Sequence, residues 1–327
     1  MRLRALGETG ISVSEIGFGC GGTSGVMGRG TREQRLAVVA SATDAGINFF
    51  DTAPGYDATR SETNLGETLQ DLGLRPIIGT KVTFTPEDLG DVSSAAARSV
   101  EESLARLQVD VIDLLQLHNK VTMQRRPEFP SEMTAEEVLR PGGVADAFDE
   151  LRRQGTIRGF GFTGIGHLSA VEQIIDSGRF QTVEVVYNLL NPSAGASVPA
   201  GFRGADYSGI IERSGAQGMG VIAIRVLAAG ALSGNSAPHS LSGGWSVRAA
   251  HEVNGDRERA KALEFMVPED QTPAQAALRF ALMHPRVSTA LVGFSDPAQV
   301  DELVACSDGS GLTQDAVDLL KETLHAD

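Results

Sequence analysis

Cysteine and lysine are scarce in this chain, and each shortage closes off a class of protein. The two cysteines, Cys20 and Cys306, stand too far apart to frame a disulfide scaffold or to give metal-ligand spacing. No metal site is therefore expected, and a reducing cytoplasm is the expected setting. Lysine occurs at 81, 120, 261 and 321 only, and Asp and Glu outnumber Lys and Arg by 42 to 28. The resulting formal charge of −14 has the wrong sign for a surface that reads nucleic acid or anionic lipid. No apolar run approaches the ~20 residues of a membrane span. The opening MRLRALGETG also lacks the continuous apolar segment of a secretion signal. A small molecule is the partner these absences leave.

What is present is an alternation of short β-branched or aromatic runs with amphipathic segments. Eight runs read as strands: 15–19, 48–52, 77–82, 111–118, 157–163, 182–188, 220–226 and 288–292. Helical patterns fall between them at 32–45, 62–72, 92–107, 144–154, 168–177, 207–217 and 273–283, with a final helix after the last strand. In the third of these, Val100, Leu104 and Leu107 line one face while Arg98, Glu101, Glu102 and Arg106 take the others.

Eight strands each followed by a helix predict an α/β fold, a closed (β/α)8 TIM barrel forming one domain over 1–327. An open dinucleotide-binding sheet is the alternative. GFGCGG does spell a G-x-G-x-x-G through Gly17, Gly19 and Gly22, but no helix starts directly after it and no acidic residue ends a strand ~20 residues on. Ahead of the barrel, 3–6 and 11–13 flank Gly7–Gly10 as an N-terminal β-hairpin expected to plug the floor. Three long connections, 119–142, 189–206 and 232–256, each follow a strand. That places them on the face where barrels build sites. Phe202, Tyr207 and Trp245 are the expected apolar walls of a substrate pocket.

Four residues at or just past successive strand ends make a chemically complete proton-transfer set: Asp51, Tyr56, Lys81 and His118. A free phenol, with a pKa near 10, exchanges its proton poorly at neutral pH. A neighbouring ammonium is expected to lower that value, with Asp51 keeping Lys81 charged and oriented. Singly, each residue has a plainer reading as a cap, a half-buried ring, a solvated strand end or a core histidine.

The segments LGETGISVSEIGFG, GINFFDTAPGYDATRSETNLGETL, IGTKV, SVEESLARLQVDVIDLLQLH, GFGFTGI and LVGFSDPAQVDEL, in this order, resemble the aldo-keto reductase superfamily over essentially the whole chain. The resemblance implies an NAD(P)-dependent oxidoreductase interconverting a carbonyl and an alcohol, with Tyr56 as general acid/base, Asp51 and Lys81 tuning it and His118 orienting the substrate oxygen. It also implies cofactor contacts. Thr163, Gly164 and Glu184 take the place of the family's amide-holding set, although Glu184 also reads as a barrel-interior or surface carboxylate. In AIRVL, Ile224 or Arg225 stands where an aromatic commonly stacks on the nicotinamide. Leu227, Ala228, Gly230 and Leu232 would lie along the pyrophosphate. Gly293, Ser295, Gln299 and Glu302 would meet the adenosine end, where a helix N-terminus suits an anion. Family habit favours NADP(H). NAD(H) stays open, because the last of these segments carries no Lys or Arg for a 2′-phosphate.

The TG of GFTGI and the missing aromatic in AIRVL are similar to the branch containing aldose and galactose-type dehydrogenases, whose direction is oxidative. A non-catalytic cofactor-sensing subunit is a further alternative. A barrel glycosidase is another, with Asp51 and Glu184 as its carboxylate pair.

Overall fold

Residues 1–202, 204–235, 239–243, 247–264 and 267–326 are described in a computed structural model. Eight parallel strands close into a barrel: β1 (Ile16–Gly19), β2 (Phe49–Asp51), β3 (Ile77–Val82), β4 (Ile112–Leu117), β5 (Ile157–Thr163), β6 (Thr182–Val186), β7 (Gly220–Ile224) and β8 (Val287–Val292). Neighbours in sequence are neighbours in the sheet, and β8 pairs back onto β1 through Ala290 and Ile16. Eight helices follow the strands: α1 (Arg32–Asp44), α2 (Arg60–Leu72), α3 (Val92–Leu107), α4 (Val144–Gln154), α5 (Leu168–Asp176), α6 (Ile210–Ala216), α7 (Pro273–Leu282) and α8 (Pro297–Val304). Local sequence sets several of their ends. Thr31 with Gln34 and Thr272 with Gln275 form capping boxes, and Pro273 opens α7 where a missing N–H costs nothing. Gly155 closes α4 in the left-handed region, where a Cβ would be strained.

Strand residues alternate between two cores. Phe18, Phe50, Leu115, Phe160 and Val183 face outward and join the helices in the larger one. A smaller core inside the barrel joins Phe49, Leu114 and Ile222 to Leu6, Ile11 and Val13 of the N-terminal hairpin, whose strands are Leu3–Ala5 and Ser12–Ser14. The hairpin therefore seals the floor with aliphatic side chains, as the sequence predicts. Its turn sits backbone to backbone on the start of β7: Gly7 has φ 55°, and a Cβ there would stand 2.2 Å from the Gly220 nitrogen. With the floor closed by apolar groups, polar side chains inside the barrel collect toward the strand C-termini.

Strand ends differ from expectation by one or two residues, most at β6 and β7, which stop at Val186 and Ile224 rather than running to 188 and 226. The sixth helix is shorter than 207–217, because Ser208 and Gly209 both adopt positive φ and delay its start to Ile210. The long connections hold more regular structure than composition implies. The first contains a paired Val121–Thr122 and Met133–Thr134 and a helix over Ala135–Leu139. The third runs into a helix over Val247–Lys261. Beyond α8 a further helix covers Gln314–Ala326.

Candidate active site

Asp51 is the last residue of β2, Lys81 the penultimate residue of β3, and His118 directly follows β4; Tyr56 lies in the loop after β2. All four stand at one end of the barrel. Alternation points Asp51, Lys81, Gln116 and Glu184 inward on four different strands, and each is at most 3% exposed. Gly79, on the inward face of β3, leaves the space this needs: a Cβ there would come within 3.1 Å of the Phe49 ring and 3.3 Å of Asp51 Oδ2.

Lys81 Nζ donates to Asp51 Oδ1 and, at 3.0 Å, to the carbonyl of Thr52. It lies 5.1 Å from the centre of the Tyr56 ring. The Tyr56 and His118 rings meet edge to face, 5.8 Å apart. The four residues singled out in the sequence thus form one cluster.

Their electrostatics correct one expectation. Lys81 does pull the Tyr56 phenol down, but burial outweighs it, Asp51 and Glu184 oppose it, and the phenol is pushed up to about 12. It is held protonated, not made acidic. Burial alone would strip Lys81 of its proton; Asp51 and Glu184 instead hold the ammonium well above its usual range. Burial raises Asp51 to about 7, opposed by Lys81 and helped by Glu184. Burial and then Lys81 push His118 down to about 4, so its imidazole is neutral at physiological pH.

The expected cofactor residues divide into three groups. Thr163 ends β5, and its hydroxyl donates to Glu184 Oε2 at 2.7 Å, while the Gly164 amide donates to the Glu184 carbonyl at 2.8 Å. Glu184 is a barrel-interior carboxylate, with its other oxygen accepting from Gln116 Nε2 at 2.8 Å and 3.4 Å from Lys81 Nζ. After β7, Arg225 is exposed and Ile224 half-buried, while Ala228 and Leu232 are buried, leaving their backbone as what a ligand would meet. Arg225, Ala228 and Ala229 all adopt positive φ, at 54°, 45° and 57°, as does Gly230. Left-handed non-glycine residues cost roughly 1–2 kcal/mol each and cluster at ligand clamps. This strained rim fits a backbone cradle for a dinucleotide.

After β8, Gly293 is exposed, Ser295 donates its hydroxyl to the Ser24 carbonyl at 2.9 Å, and Gln299 Oε1 accepts from the Ser295 amide at 2.8 Å. The Gln299 side-chain nitrogen has no partner among the described residues and remains a donor. Glu302 is spent on α7: it accepts from Thr272 Oγ1 at 2.5 Å, and its carbonyl accepts from Gln275 at 2.9 Å. Of the expected walls, Phe202 is half-buried, Tyr207 packs against the outer core, and Trp245 lies outside the described residues.

Three features of the site are not evident from sequence motifs. Gln116 bridges Glu184 and Asp51, with its Nε2 3.4 Å from Asp51 Oδ2. It was detectable as the lone amide in the apolar run IDLLQL, two positions before His118 and so on the same face. Asp57, Ala58 and Thr59 follow Tyr56 at φ 49°, 54° and 70°, a left-handed turn that no spacing rule announces. Arg29 holds this turn through the Asp57 carboxylate and also donates to the carbonyls of Gly22 and Leu241.

A closed barrel thus carries this lysine, tyrosine, histidine and aspartate at one end. The chain belongs to the aldo/keto reductase family, whose model matches residues 15–325, and is an NAD(P)H-dependent oxidoreductase. It is 29% identical over 309 residues to the L-galactose dehydrogenase of Arabidopsis thaliana, covering 93% of this chain and 88% of that protein. It is 27% identical over 335 residues to the pyridoxal 4-dehydrogenase of Microbacterium luteolum, covering 92% and 91%. Among solved structures, the holo form of an aldo-keto reductase from Bacillus halodurans superposes with a TM-score of 0.70 at 24% identity, covering 99% of this chain and 96% of that one. An aldo-keto reductase from Klebsiella pneumoniae in complex with NADPH superposes at 0.66 and 21% identity, covering 99% and 95%.

Proposed function

We propose that the chain interconverts an aldehyde or ketone and the matching alcohol on a small molecule, with Tyr56 as the general acid in reduction and the general base in oxidation. The observation that carries this reading is the Lys81 ammonium, held by Asp51 and placed over the Tyr56 ring beside His118. A phenol near 12 is a proton donor at rest. Neutral His118 offers an N–H to the substrate oxygen and orients the carbonyl. As negative charge develops on that oxygen, Tyr56 passes it a proton, and Lys81 stabilises the phenolate left behind. Such assistance is typically worth about 10²–10⁴ in rate. The nicotinamide cofactor supplies the hydride when bound.

Thr163 and Gly164 would border the nicotinamide end, with Arg225 or Ile224 against the ring. The backbone of Leu227, Ala228, Gly230 and Leu232 would lie along the pyrophosphate, and Gly293, Ser295 and Gln299 would meet the adenosine. NADP(H) is the favoured cofactor, in keeping with the NADPH-bound relative from Klebsiella pneumoniae. A sugar hydroxyl oxidised at C1 is the second reading, supported by the likeness to L-galactose dehydrogenase. The glycosidase alternative has little support, since Asp51 and Glu184 are engaged by Lys81 and Gln116 and buried from a sugar.

A matched screen of NADPH and NADH against aldehydes and ketones, and of NADP⁺ and NAD⁺ against aldoses, tests the proposal. Turnover in either direction is expected, faster with the phosphorylated cofactor. No nicotinamide-dependent turnover across the panel would refute it.

A further inference from the structure

Lys81 stands among more negative charge than an ammonium holding one phenol requires. Two carboxylates reach it inside the barrel, both almost wholly buried: Asp51 by a direct hydrogen bond and Glu184 at 3.4 Å. Strand register puts the second one there. Glu184 pairs with Thr163 across β5 and β6, and Lys81 pairs with Gln116 across β3 and β4. Thr163 and Gln116 each donate to a different oxygen of Glu184, so the carboxylate is oriented from two sides. The bridging amide of Gln116 turns its nitrogen to both carboxylates and leaves its own oxygen buried without a partner. Leaving a buried oxygen unsatisfied is costly. The strain is intelligible if fixing both carboxylates around Lys81 matters to the reaction. Nζ donates to Asp51 and to the Thr52 carbonyl, with Glu184 Oε1 3.4 Å away.

We propose that Glu184 is the second carboxylate partner of Lys81, a positioning residue that keeps the ammonium charged and aimed at Tyr56, and not the holder of the cofactor amide. The role rests on the oxidoreductase reading above; the pairing itself does not. The titratable groups around Lys81 are Asp51, Glu184, Tyr56, His118 and Cys20. Among them Asp51 and Glu184 raise the Tyr56 phenol while Lys81 lowers it. Removing the Glu184 charge therefore leaves the phenol easier to ionise, and reduction, which needs it protonated, fails at a lower pH.

The test compares the native protein with Glu184→Gln and Glu184→Asp. With an aldehyde and NADPH, the basic limb of kcat in Glu184→Gln is expected to move down by about one pH unit. NADPH dissociation, followed by fluorescence, should stay within about threefold, and Glu184→Asp should restore the limb toward native. A limb that stays in place, whether or not NADPH binding weakens, would overturn the proposal. A second measurement is independent of turnover. In protein labelled with ¹³C-lysine, the Lys81 Cε resonance of Glu184→Gln is expected to begin titrating at lower pH than in the native protein; an unchanged titration overturns the pairing. A protein inactive toward every carbonyl would refute the oxidoreductase reading while leaving that resonance to decide the pairing.

Discussion

The Lys81 ammonium sits 5.1 Å from the centre of the Tyr56 ring, and the Tyr56 phenol is nonetheless pushed up to about 12. Proximity of a cation does not make this phenol acidic, because burying it costs the phenolate more than one ammonium returns. In the free protein the pair is therefore a loaded proton donor. Lys81 serves the phenolate that forms during turnover more than it forms one at rest.

Lys81→Met is expected to abolish turnover and to destabilise the barrel by about 3–5 kcal/mol at pH 8, since it leaves buried carboxylates without their cation. Asp51 already lies up at about 7 because of burial, against the pull of Lys81 and with the push of Glu184. Without Lys81 the folded chain binds a proton on this cluster that the unfolded chain has released, so its deficit shrinks as pH falls. Urea midpoints at pH 8 and 5.5 should show the gap from native narrowing at the lower pH. A constant gap would contradict the picture.

His118, pushed down to about 4 by burial and then by Lys81, resists protonation in the folded state. An unfolded imidazole titrates near 6.5. Between those values the unfolded chain binds a proton that the folded chain refuses, and stability is lost as pH falls through that window. His118→Gln removes this contribution, so its urea midpoint should drop less between pH 7 and 4.5 than the native one. An equal drop would count against a neutral His118.

Arg29 ties the Tyr56 loop to two others through Asp57, the Gly22 carbonyl and the Leu241 carbonyl. Arg29→Met should lower kcat by about tenfold through misplacement of Tyr56, since an error of 1 Å can cost about 10². Its far-UV circular dichroism should match the native protein. Native kcat in this variant would show that the left-handed turn holds Tyr56 unaided.

The barrel was legible because its signals are local. β3, β5, α3 and α4 occupy the residues their periodicity and flanking turns indicate. Asp51, Lys81 and His118 were legible because strand ends are, and a lysine after IIGT is conspicuous in a chain with so few. What escaped depends on the third dimension. The helix over Val247–Lys261 was hidden because 232–256 reads as one long connection after a strand. Glu184 was readable as a strand residue, but its nearness to Lys81 comes only from closure of the barrel, which brings β6 across from β3. The rise of the Tyr56 pKa is likewise a property of burial, which no spacing of residues discloses.

The account rests on Tyr56 as the group that moves the proton, and its most direct test is the steady-state reduction of 4-nitrobenzaldehyde by NADPH in Tyr56→Phe. The predicted result is a kcat reduced by about 10²–10⁴, with NADPH binding and thermal midpoint close to native. A variant that turned over within a few-fold of the native rate would contradict it.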